Sequence, residues 1–202
     1  MIDDREYDLP DAALLSGDTN VSPVIVWVPE FFCIVLGQSN SPETSLHIEA
    51  VKQDNIPVYK RPSGGETVIL SPGTLVISVL KRNEPLRSPT RYFETFNGKI
   101  IKTLQGLGVR DLSMRGISDV CIRDLKILGS SIYRNKDLLL YHAVLNVSQS
   151  TRQMERYLKH PVREPDYRRG RSHRTFVTSL AQQGFSISAG EIKEAVLEAF
   201  HT

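Results

Sequence analysis

The chain has 202 residues, of which 40% are hydrophobic and 24% charged, and this composition is ordinary for one large soluble domain. No run approaches the eighteen apolar residues of a transmembrane helix, and the acidic N-terminus lacks the apolar segment of a secretory signal. The two cysteines, Cys33 and Cys121, are too few for a disulfide framework and lack metal-ligand spacing. We therefore expect a cytoplasmic protein that binds neither metal through its cysteines nor a membrane.

The first half of the chain is predicted to contain five strands and one helix. Residues 1–23 are polar and predict an irregular arm. Segments dense in β-branched residues predict strands, and apolar residues at helical spacing predict a helix over residues 43–54. The predicted strands cover residues 24–28, 31–36, 56–60, 67–70 and 75–80.

The second half begins with a long predicted helix. Ser88 and Pro89 are typical of a helix start, and apolar residues then recur at three-to-four spacing to about Leu104. Three strands are predicted over residues 120–122, 126–131 and 138–147, followed by helices over 152–158 and 172–183. A capping box at Ser188 predicts a final amphipathic helix. The sequence therefore predicts one α/β domain over residues 24–202, with a mixed sheet flanked by helices.

Residues 61–66, here called the glycine loop, join two of the predicted strands with the sequence Arg-Pro-Ser-Gly-Gly-Glu. Gly64 and Gly65 can adopt positive φ and let a ligand approach the backbone closely. Exposed N–H groups in such a turn form an anion site, and the guanidinium of Arg61 adds charge. The loop predicts either a phosphate cradle or a plain hairpin turn shaped by glycine.

A second group of polar residues lies about sixty positions further along the chain. It comprises Asp119, Lys126, Gly129, Ser130 and His142. Together with Arg61, Ser63, Gly64 and Gly65, these residues stand in the order and spacing of motifs in the lipoate–protein ligase family. That family carries Arg-x-Ser-Gly-Gly, then Asn-Asp with a later Lys-Ile-x-Gly-Ser-Ala, then His-Gly-Thr-Leu. The chain resembles this family from about residue 24 to residue 197.

The resemblance implies the catalytic-domain fold shared by biotin and lipoate ligases. It also implies ATP with Mg²⁺, lipoate or octanoate as substrate, and transfer to a lysine of a lipoyl acceptor domain. Lys126 is then the candidate catalytic residue, as a cation placed against the acyl carbonyl and phosphate oxygens. Otherwise it is an ordinary surface lysine that begins a strand. His142 has an active-site role or is a core histidine.

The remaining candidate residues bind substrate or nucleotide if the resemblance holds. Arg61, with the backbone of Ser63 to Gly65, is expected to hold phosphate, and Asp119 to hold the nucleotide or bond within a turn. Gly129 offers close backbone approach, and Ser130 offers a hydroxyl near the acyl group. The last expectations concern the acyl pocket: Gly73 shapes its floor, and residues such as Val68, Ile77 and Val79 line it.

The chain departs from the family pattern in three places. Glu66 replaces a third glycine, Leu70-Ser71 replaces His-Asp, and the sequence ends at Thr202 without an accessory C-terminal domain. The last departure implies that a separate partner subunit could be needed for adenylate formation. Two alternatives follow: an octanoyl or lipoyl transferase that uses Cys121, or a non-catalytic module that binds an acyl-nucleotide or the acceptor.

The segment over residues 152–174 is basic. It lacks any nucleic-acid-binding motif, so we expect no nucleic-acid partner. The run Arg168-Arg169-Gly170-Arg171 predicts a solvated face, with attraction of an acidic acceptor domain as a further hypothesis.

Overall fold

The computed structural model describes residues 2–15, 21–82 and 88–201. The described strands are β1 (Arg5–Glu6), β2 (Val24–Trp27), β3 (Cys33–Leu36), β4 (Val58–Lys60), β5 (Val68–Leu70), β6 (Thr74–Arg82), β7 (Leu112–Arg115), β8 (Asp119–Ile122), β9 (Leu125–Arg134) and β10 (Leu138–Asn146). The α-helices are α1 (Pro42–Ser45), α2 (Ile48–Gln53), α3 (Pro89–Gly106), α4 (Thr151–Tyr157), α5 (His173–Phe176) and α6 (Ala189–His201). Short 3₁₀ helices cover Pro10–Leu15, Asp166–Arg168 and Ala181–Gln183.

The strands form two sheets. The larger is antiparallel, in the order β2-β6-β10-β9-β8-β7. The smaller has the order β1-β4-β3-β5, in which β4 pairs in parallel with β1 and β3 while β5 is antiparallel. The predicted mixed α/β architecture is confirmed, but the strands divide between two sheets.

The two faces of the larger sheet pack against different partners. Successive side chains alternate between faces, so β10 directs Tyr141, Ala143 and Leu145 into the core formed with α3 and α6. Its other face includes Val144, which packs with Val35 and neighbouring residues of the smaller sheet. The space between the sheets is therefore lined by the second face of β10 and its neighbours.

The cap and periodicity signals of the two long helices are confirmed. Helix α3 begins at Pro89 and runs to Gly106, with its aromatic stripe buried. At the start of α6, Ser188 Oγ accepts a hydrogen bond from the Glu191 N–H, and Glu191 accepts one from the Ser188 N–H in return. This is the predicted capping box.

Three local predictions were wrong. The helix expected over residues 43–54 breaks at Leu46, which is buried and bridges to Leu158, so α1 and α2 are separate. The helix expected over residues 172–183 is interrupted where Val177 bridges to Lys126 and the Thr178 N–H donates to the Lys126 carbonyl. Strands β1 and β7 were not predicted at all. Tertiary contacts override helical periodicity at both breaks.

Within the segment predicted as an N-terminal arm, residues 2–15 include β1 and a 3₁₀ helix, and some of their side chains are buried. Leu9 and Leu14 are buried, and Asp11 is completely buried. Residues 16–20, which the same prediction covered, lie outside the described part of the chain. None of the described helices is both long and apolar enough to cross a membrane.

Candidate active site

A two-lobed cavity opens between the sheets around the glycine loop and Lys126. The first lobe has a volume of about 820 Å³ and apolar walls that include Val35, Leu70 and Val76. The second lobe has a volume of about 590 Å³ and reaches past α4 and α5. Gly65, Lys126 and the backbone of Gly129 line both lobes. These volumes are in the range of small-molecule sites.

Lys126 lies at the junction of the lobes, held by a carboxylate. Its Nζ is 2.8 Å from Asp119 Oδ1, and the lysine and aspartate side chains are 29% and 9% exposed. The ammonium carries three N–H donors, so two remain for a ligand in the cavity. Lys126 is therefore a partly buried, ion-paired lysine that lines the cavity.

Asp119 is oriented in turn by a tyrosine that the sequence analysis did not select. Tyr167 donates its hydroxyl proton to Asp119 Oδ2 at 2.8 Å, and its oxygen is 3.4 Å from Cys121 Sγ. Burial and the Asp119 charge both raise the pKa of Tyr167, so the phenol keeps its proton. Both carboxylate oxygens of Asp119 are therefore engaged within the protein.

The end of the Lys126 side chain packs closely over Gly129. A Cβ at this position would lie 2.8 Å from Lys126 Nζ and 2.9 Å from its Cε. Such contacts are well inside the normal separation of non-bonded atoms. The glycine predicted to allow close backbone approach therefore accommodates a side chain of the same site.

Gly65 and Glu66 of the glycine loop line the cavity. Gly65 has φ +88°, a conformation that favours glycine, and it lines both lobes. No acceptor among the described residues takes the N–H of Gly64, Gly65 or Glu66. Gly37 supports the loop from below, because a Cβ on it would lie 2.0 Å from the Gly65 carbonyl oxygen. The loop can therefore act as the predicted anion cradle.

Arg61 stiffens this loop from inside. Its guanidinium is buried and donates to Ser63 Oγ at 3.0 Å and to the Gly64 and Glu66 carbonyls at 2.8 and 2.9 Å. A fourth donation reaches the Val35 carbonyl at 3.3 Å. Burial lowers the pKa of Arg61 to about 10, so it stays charged at neutral pH. Four of five N–H groups serve the protein, and the fifth remains for a ligand.

Ser130 was expected to offer a hydroxyl near the acyl group, but its hydroxyl and that of its neighbour Ser131 have different surroundings. Ser130 contributes to the lining of the first lobe, but its hydroxyl donates to the Ser118 carbonyl at 2.7 Å and lies 3.3 Å from Asn97 Oδ1. Ser131, on the opposite face of β9, lines the first lobe and lies 3.2 Å from Ser63 Oγ. Strand alternation explains the difference, because the side chains of Ser130 and Ser131 point to opposite faces of the sheet.

Glu66, the third-glycine replacement, lines both lobes, and its carboxylate is solvent-exposed. The carboxylate accepts a 3.3 Å hydrogen bond from Asn40 Nδ2. Leu70 adds an apolar wall to the first lobe where the family pattern has a polar residue. Both departures are therefore compatible with an anion at the loop and an apolar group in the first lobe.

His142 closes the end of the first lobe together with N-terminal residues. Its Nδ1 is 3.1 Å from Asp11 Oδ2, and Tyr7 packs edge-on against its ring. Tyr7 lines the lobe beside His142. Sequence reasoning missed Tyr7 and Asp11 because nothing in the polar N-terminal sequence signals a contact more than a hundred residues away.

Three residues expected in the pocket lie elsewhere. Gly73 packs against the backbone of Gln149 and accepts hydrogen bonds through its carbonyl from residues 147–149. It lines neither lobe. Ile77 and Val79 belong to the core beneath α3, whereas Val68 does line the cavity. The pocket-facing residues of β6 are those of opposite alternation, such as Val76.

The second lobe is basic. It is lined by Lys126, Lys159, Arg163, Arg168 and His173. Arg168 is buried, with its guanidinium 4.8 Å above the ring of Phe176, so the prediction that it belongs to a solvated face was wrong. Arg171 is held by Asp124 at 3.0 Å. The positive charge of this segment is therefore directed partly into the cavity, where an anionic ligand would be stabilised.

The chain's own carboxylates offer little for a divalent cation. No group of three His, Cys, Asp or Glu side chains in the described ranges could hold a metal. Mg²⁺ usually binds through one or two carboxylates together with substrate phosphates. The site therefore fits a cation that arrives with a nucleotide better than a resident metal ion.

Comparisons with known proteins identify the family of this chain. Lipoate-protein ligase A of Psychrobacter cryohalolentis is 26% identical over 169 residues, which cover 83% of this chain and 48% of that protein. The chain thus spans about half the length of this curated relative. A bipartite lipoate protein ligase from Thermoplasma acidophilum, described with its E2 lipoyl domain, aligns with a TM-score of 0.75 at 21% identity. That alignment covers 88% of this chain and 69% of the other.

A lipoate-protein ligase A solved with bound ATP aligns with a TM-score of 0.77 at 22% identity, covering 94% of this chain and 76% of that one. These structural likenesses establish the fold. The model of the lipoyl protein ligase A/B catalytic domain matches residues 11–201. The match begins at the buried Asp11 and includes every residue that lines the cavity except Tyr7. The chain therefore belongs to the lipoyl protein ligase A/B catalytic domain family.

Proposed function

We propose that this chain is the catalytic part of an ATP-dependent lipoate–protein ligase. The observation that carries the proposal is the Lys126 ammonium, which is fixed by Asp119 in a cavity that Gly65 of the glycine loop also lines. A cation and a set of amide donors that converge on one cavity suit a phosphate and a carbonyl oxygen of the same bound molecule. Family membership and the ATP-bound structural neighbour support this assignment.

The two lobes divide the substrate between them. The apolar walls of the first lobe suit a medium-chain acyl group such as lipoyl or octanoyl. The basic second lobe suits the nucleotide, with Lys159, Arg163 and Arg168 near its phosphates. Mg²⁺ would enter with ATP, held mainly by the phosphates.

The chemistry follows in two steps. A carboxylate oxygen of the acid attacks the α-phosphorus of ATP, pyrophosphate leaves, and the acyl-adenylate remains bound. The amine of an acceptor lysine then attacks the acyl carbonyl, the amide forms, and AMP leaves with the electron pair of the broken bond. Negative charge develops on phosphoryl oxygens first and on the carbonyl oxygen second. Lys126 and the loop N–H groups are preorganised donors for both.

The state of Cys121 favours a ligase over a cysteine transferase. The thiol is completely buried and lines neither lobe. Burial raises its pKa, and because the Tyr167 proton is directed to Asp119, the thiol itself donates to the Tyr167 oxygen. A nucleophilic cysteine needs access and a lowered pKa. Cys121 has neither, so no covalent thioester step is assigned to it.

The partners are proposed from the relatives. The described system of Thermoplasma acidophilum is bipartite and includes an E2 lipoyl domain. By analogy with that system, this chain would act on a lipoyl acceptor domain together with an accessory subunit. A cytoplasmic location is part of the same proposal.

Mass spectrometry of the acceptor tests the proposal. An apo lipoyl domain is incubated with the chain, lipoate and Mg-ATP, with and without a candidate accessory subunit. We expect a lipoyl mass gain that requires ATP. Lys126→Ala should slow it by about 10²–10³, the scale for removal of one charge-stabilising donor.

Lys102→Ala is the matched control, because Lys102 is exposed on α3 away from the cavity. Transfer from a pre-acylated carrier without ATP would instead identify a transferase. No mass gain under any of these conditions would identify a binding module.

A further inference from the structure

The far end of the first lobe is polar, unlike its apolar walls. The Asp11 carboxylate is completely buried there and has three donors around it. Tyr7 donates to Oδ1 at 2.8 Å, Ser78 donates to Oδ2 at 2.6 Å, and His142 Nδ1 lies 3.1 Å from Oδ2. A buried carboxylate surrounded in this way fixes the groups that bond to it. The result is an imidazole held rigidly at the end of the lobe.

The network also sets which nitrogen of His142 faces the ligand. Burial alone would raise the pKa of Asp11, but hydrogen bonds from His142, Ser78 and Tyr7 outweigh it and hold the pKa below its ordinary value. The ionised carboxylate accepts the proton on His142 Nδ1. Nε2 on the opposite side of the ring is buried, and no hydrogen-bond partner for it exists in the described part of the chain. An unpaired buried nitrogen is costly, so a ligand group that bonds it is favoured.

The position of His142 matches the length of a medium-chain acyl group. Val144 of β10 pairs with Gly129, over which Lys126 folds, and His142 lies two residues further along the same face. His142 is separated from Gly129 by two residues along the strand and by the spacing between two neighbouring strands. These two separations together place His142 about 8–10 Å from Gly129. An extended chain of eight carbon atoms is about 9 Å long. A chain whose carbonyl is at Lys126 therefore ends at the imidazole.

We propose that His142 Nε2 recognises a hydrogen-bond donor at the far end of the acyl chain, with Asp11 and Tyr7 as positioning residues. The inference rests on the proposed function, because it takes the first lobe as the acyl site. Because the imidazole proton lies on Nδ1, Nε2 is an acceptor, and the recognised group must be a donor such as a terminal hydroxyl. The sulfur atoms of a dithiolane ring carry no hydrogen and cannot donate to it. A terminal methyl group leaves Nε2 buried and unpaired, so a plain hydrocarbon chain is disfavoured.

Three non-reactive acyl-adenylate analogues test the inference. They are N-acyl sulfamoyl adenosines that carry lipoyl, 8-hydroxyoctanoyl or octanoyl groups, and their Kd values are measured by calorimetry on the intact chain. All three share the nucleotide arm, so binding by any of them reports on the proposed function. The ratio of the octanoyl to the hydroxyoctanoyl Kd value reports on His142. We expect the hydroxyoctanoyl analogue to bind at least about tenfold more tightly than the octanoyl analogue, whereas the ratio of lipoyl to octanoyl Kd values should not depend on His142.

Two variants separate recognition from structural support. His142→Phe keeps an aromatic ring but removes Nε2, and should bring the octanoyl and hydroxyoctanoyl Kd values within about threefold. Asp11→Asn should shift the ratio in the same direction by loosening the imidazole. A merely structural loss would weaken all three analogues equally and leave the ratio unchanged. The control is His47→Phe, an exposed histidine that lines neither lobe.

The outcomes are distinguishable. Tight binding of all three analogues, with the same ratio in wild type and His142→Phe, would overturn the inference and leave the proposed function standing. Binding of none of them would overturn both. If Asp11→Asn fails to fold, the His142→Phe ratio alone decides.

Discussion

Gly129→Ala is a small change, and its effect on the position of Lys126 can be estimated from the structure. The added Cβ would lie 2.8 Å from Lys126 Nζ and 2.9 Å from Cε. Non-bonded heavy atoms prefer separations of about 3.5–4.0 Å, so the lysine end must retreat by about 1 Å. The atoms that move are the flexible end of a side chain, and Gly129 does not have positive φ. The strand itself should therefore tolerate alanine.

The cost should fall on catalysis. A misplacement of about 1 Å in an active site can reduce the rate by about 10²-fold. The ammonium would move away from both Asp119 and the bound carbonyl, so we expect kcat for acceptor lipoylation to fall by about that factor. The thermal midpoint should change by no more than about 4 °C, the shift that corresponds to about 1 kcal/mol.

The assay measures ATP-dependent pyrophosphate release and acceptor lipoylation by Gly129→Ala, with thermal unfolding in parallel. Gly98→Ala on α3 is the matched control, because no atom lies within 4 Å of its added Cβ. Unchanged activity in Gly129→Ala would refute the placement of Lys126 over Gly129. A loss of activity that accompanies unfolding would refute the view that only the lysine moves.

Three further predictions follow from the same structure. Cys121→Ser should keep ligase activity within about threefold, since a buried thiol is not the nucleophile, and loss of lipoylation in the mass assay would reverse this assignment. Gly37→Ala places a Cβ 2.0 Å from the Gly65 carbonyl oxygen. It should lower the free energy of unfolding by about 1–3 kcal/mol and weaken ATP binding, and urea denaturation that matches wild type would contradict the fit of these two backbones. Burial, with Arg168 nearby, lowers the pKa of His173 to about 4. The unfolded chain therefore binds a proton that the folded chain does not, and the free energy of unfolding falls as pH falls from about 6.5 to about 4. The His173→Asn variant should lose less stability than wild type between about pH 7 and 5. Equal losses in the two proteins would exclude His173 as the source of the pH dependence.

The order of motifs in the sequence was sufficient to predict that Lys126, Asp119 and the glycine loop lie at one cavity. Each lies at the end of a strand or in a tight turn with a strong local signal, and strand pairing then fixes the rest. Helices α3 and α6 were predicted equally well, because their caps and apolar periodicity agree with their packing.

Other parts of the site depend on contacts that no local pattern reports. Asp11 pairs with Ser78 and His142 across 67 and 131 residues of sequence, while its own segment is short and polar. Tyr167 reaches Asp119 from a short 3₁₀ helix that follows a proline-containing segment. The segment after α5 has helical spacing but pairs with β9 at Lys126. In each case the decisive term is long-range packing, which outweighs local propensity.

The convergence of Lys126 and the glycine loop on one bound group is tested most directly by a crystal structure with lipoyl sulfamoyl adenosine. The account predicts Lys126 Nζ within about 3 Å of the acyl carbonyl or sulfamoyl oxygen. It also predicts the Gly64 and Gly65 N–H groups directed at the same part of the ligand. A ligand bound outside the two lobes, or an ammonium that contacts only Asp119 and solvent, would contradict the account.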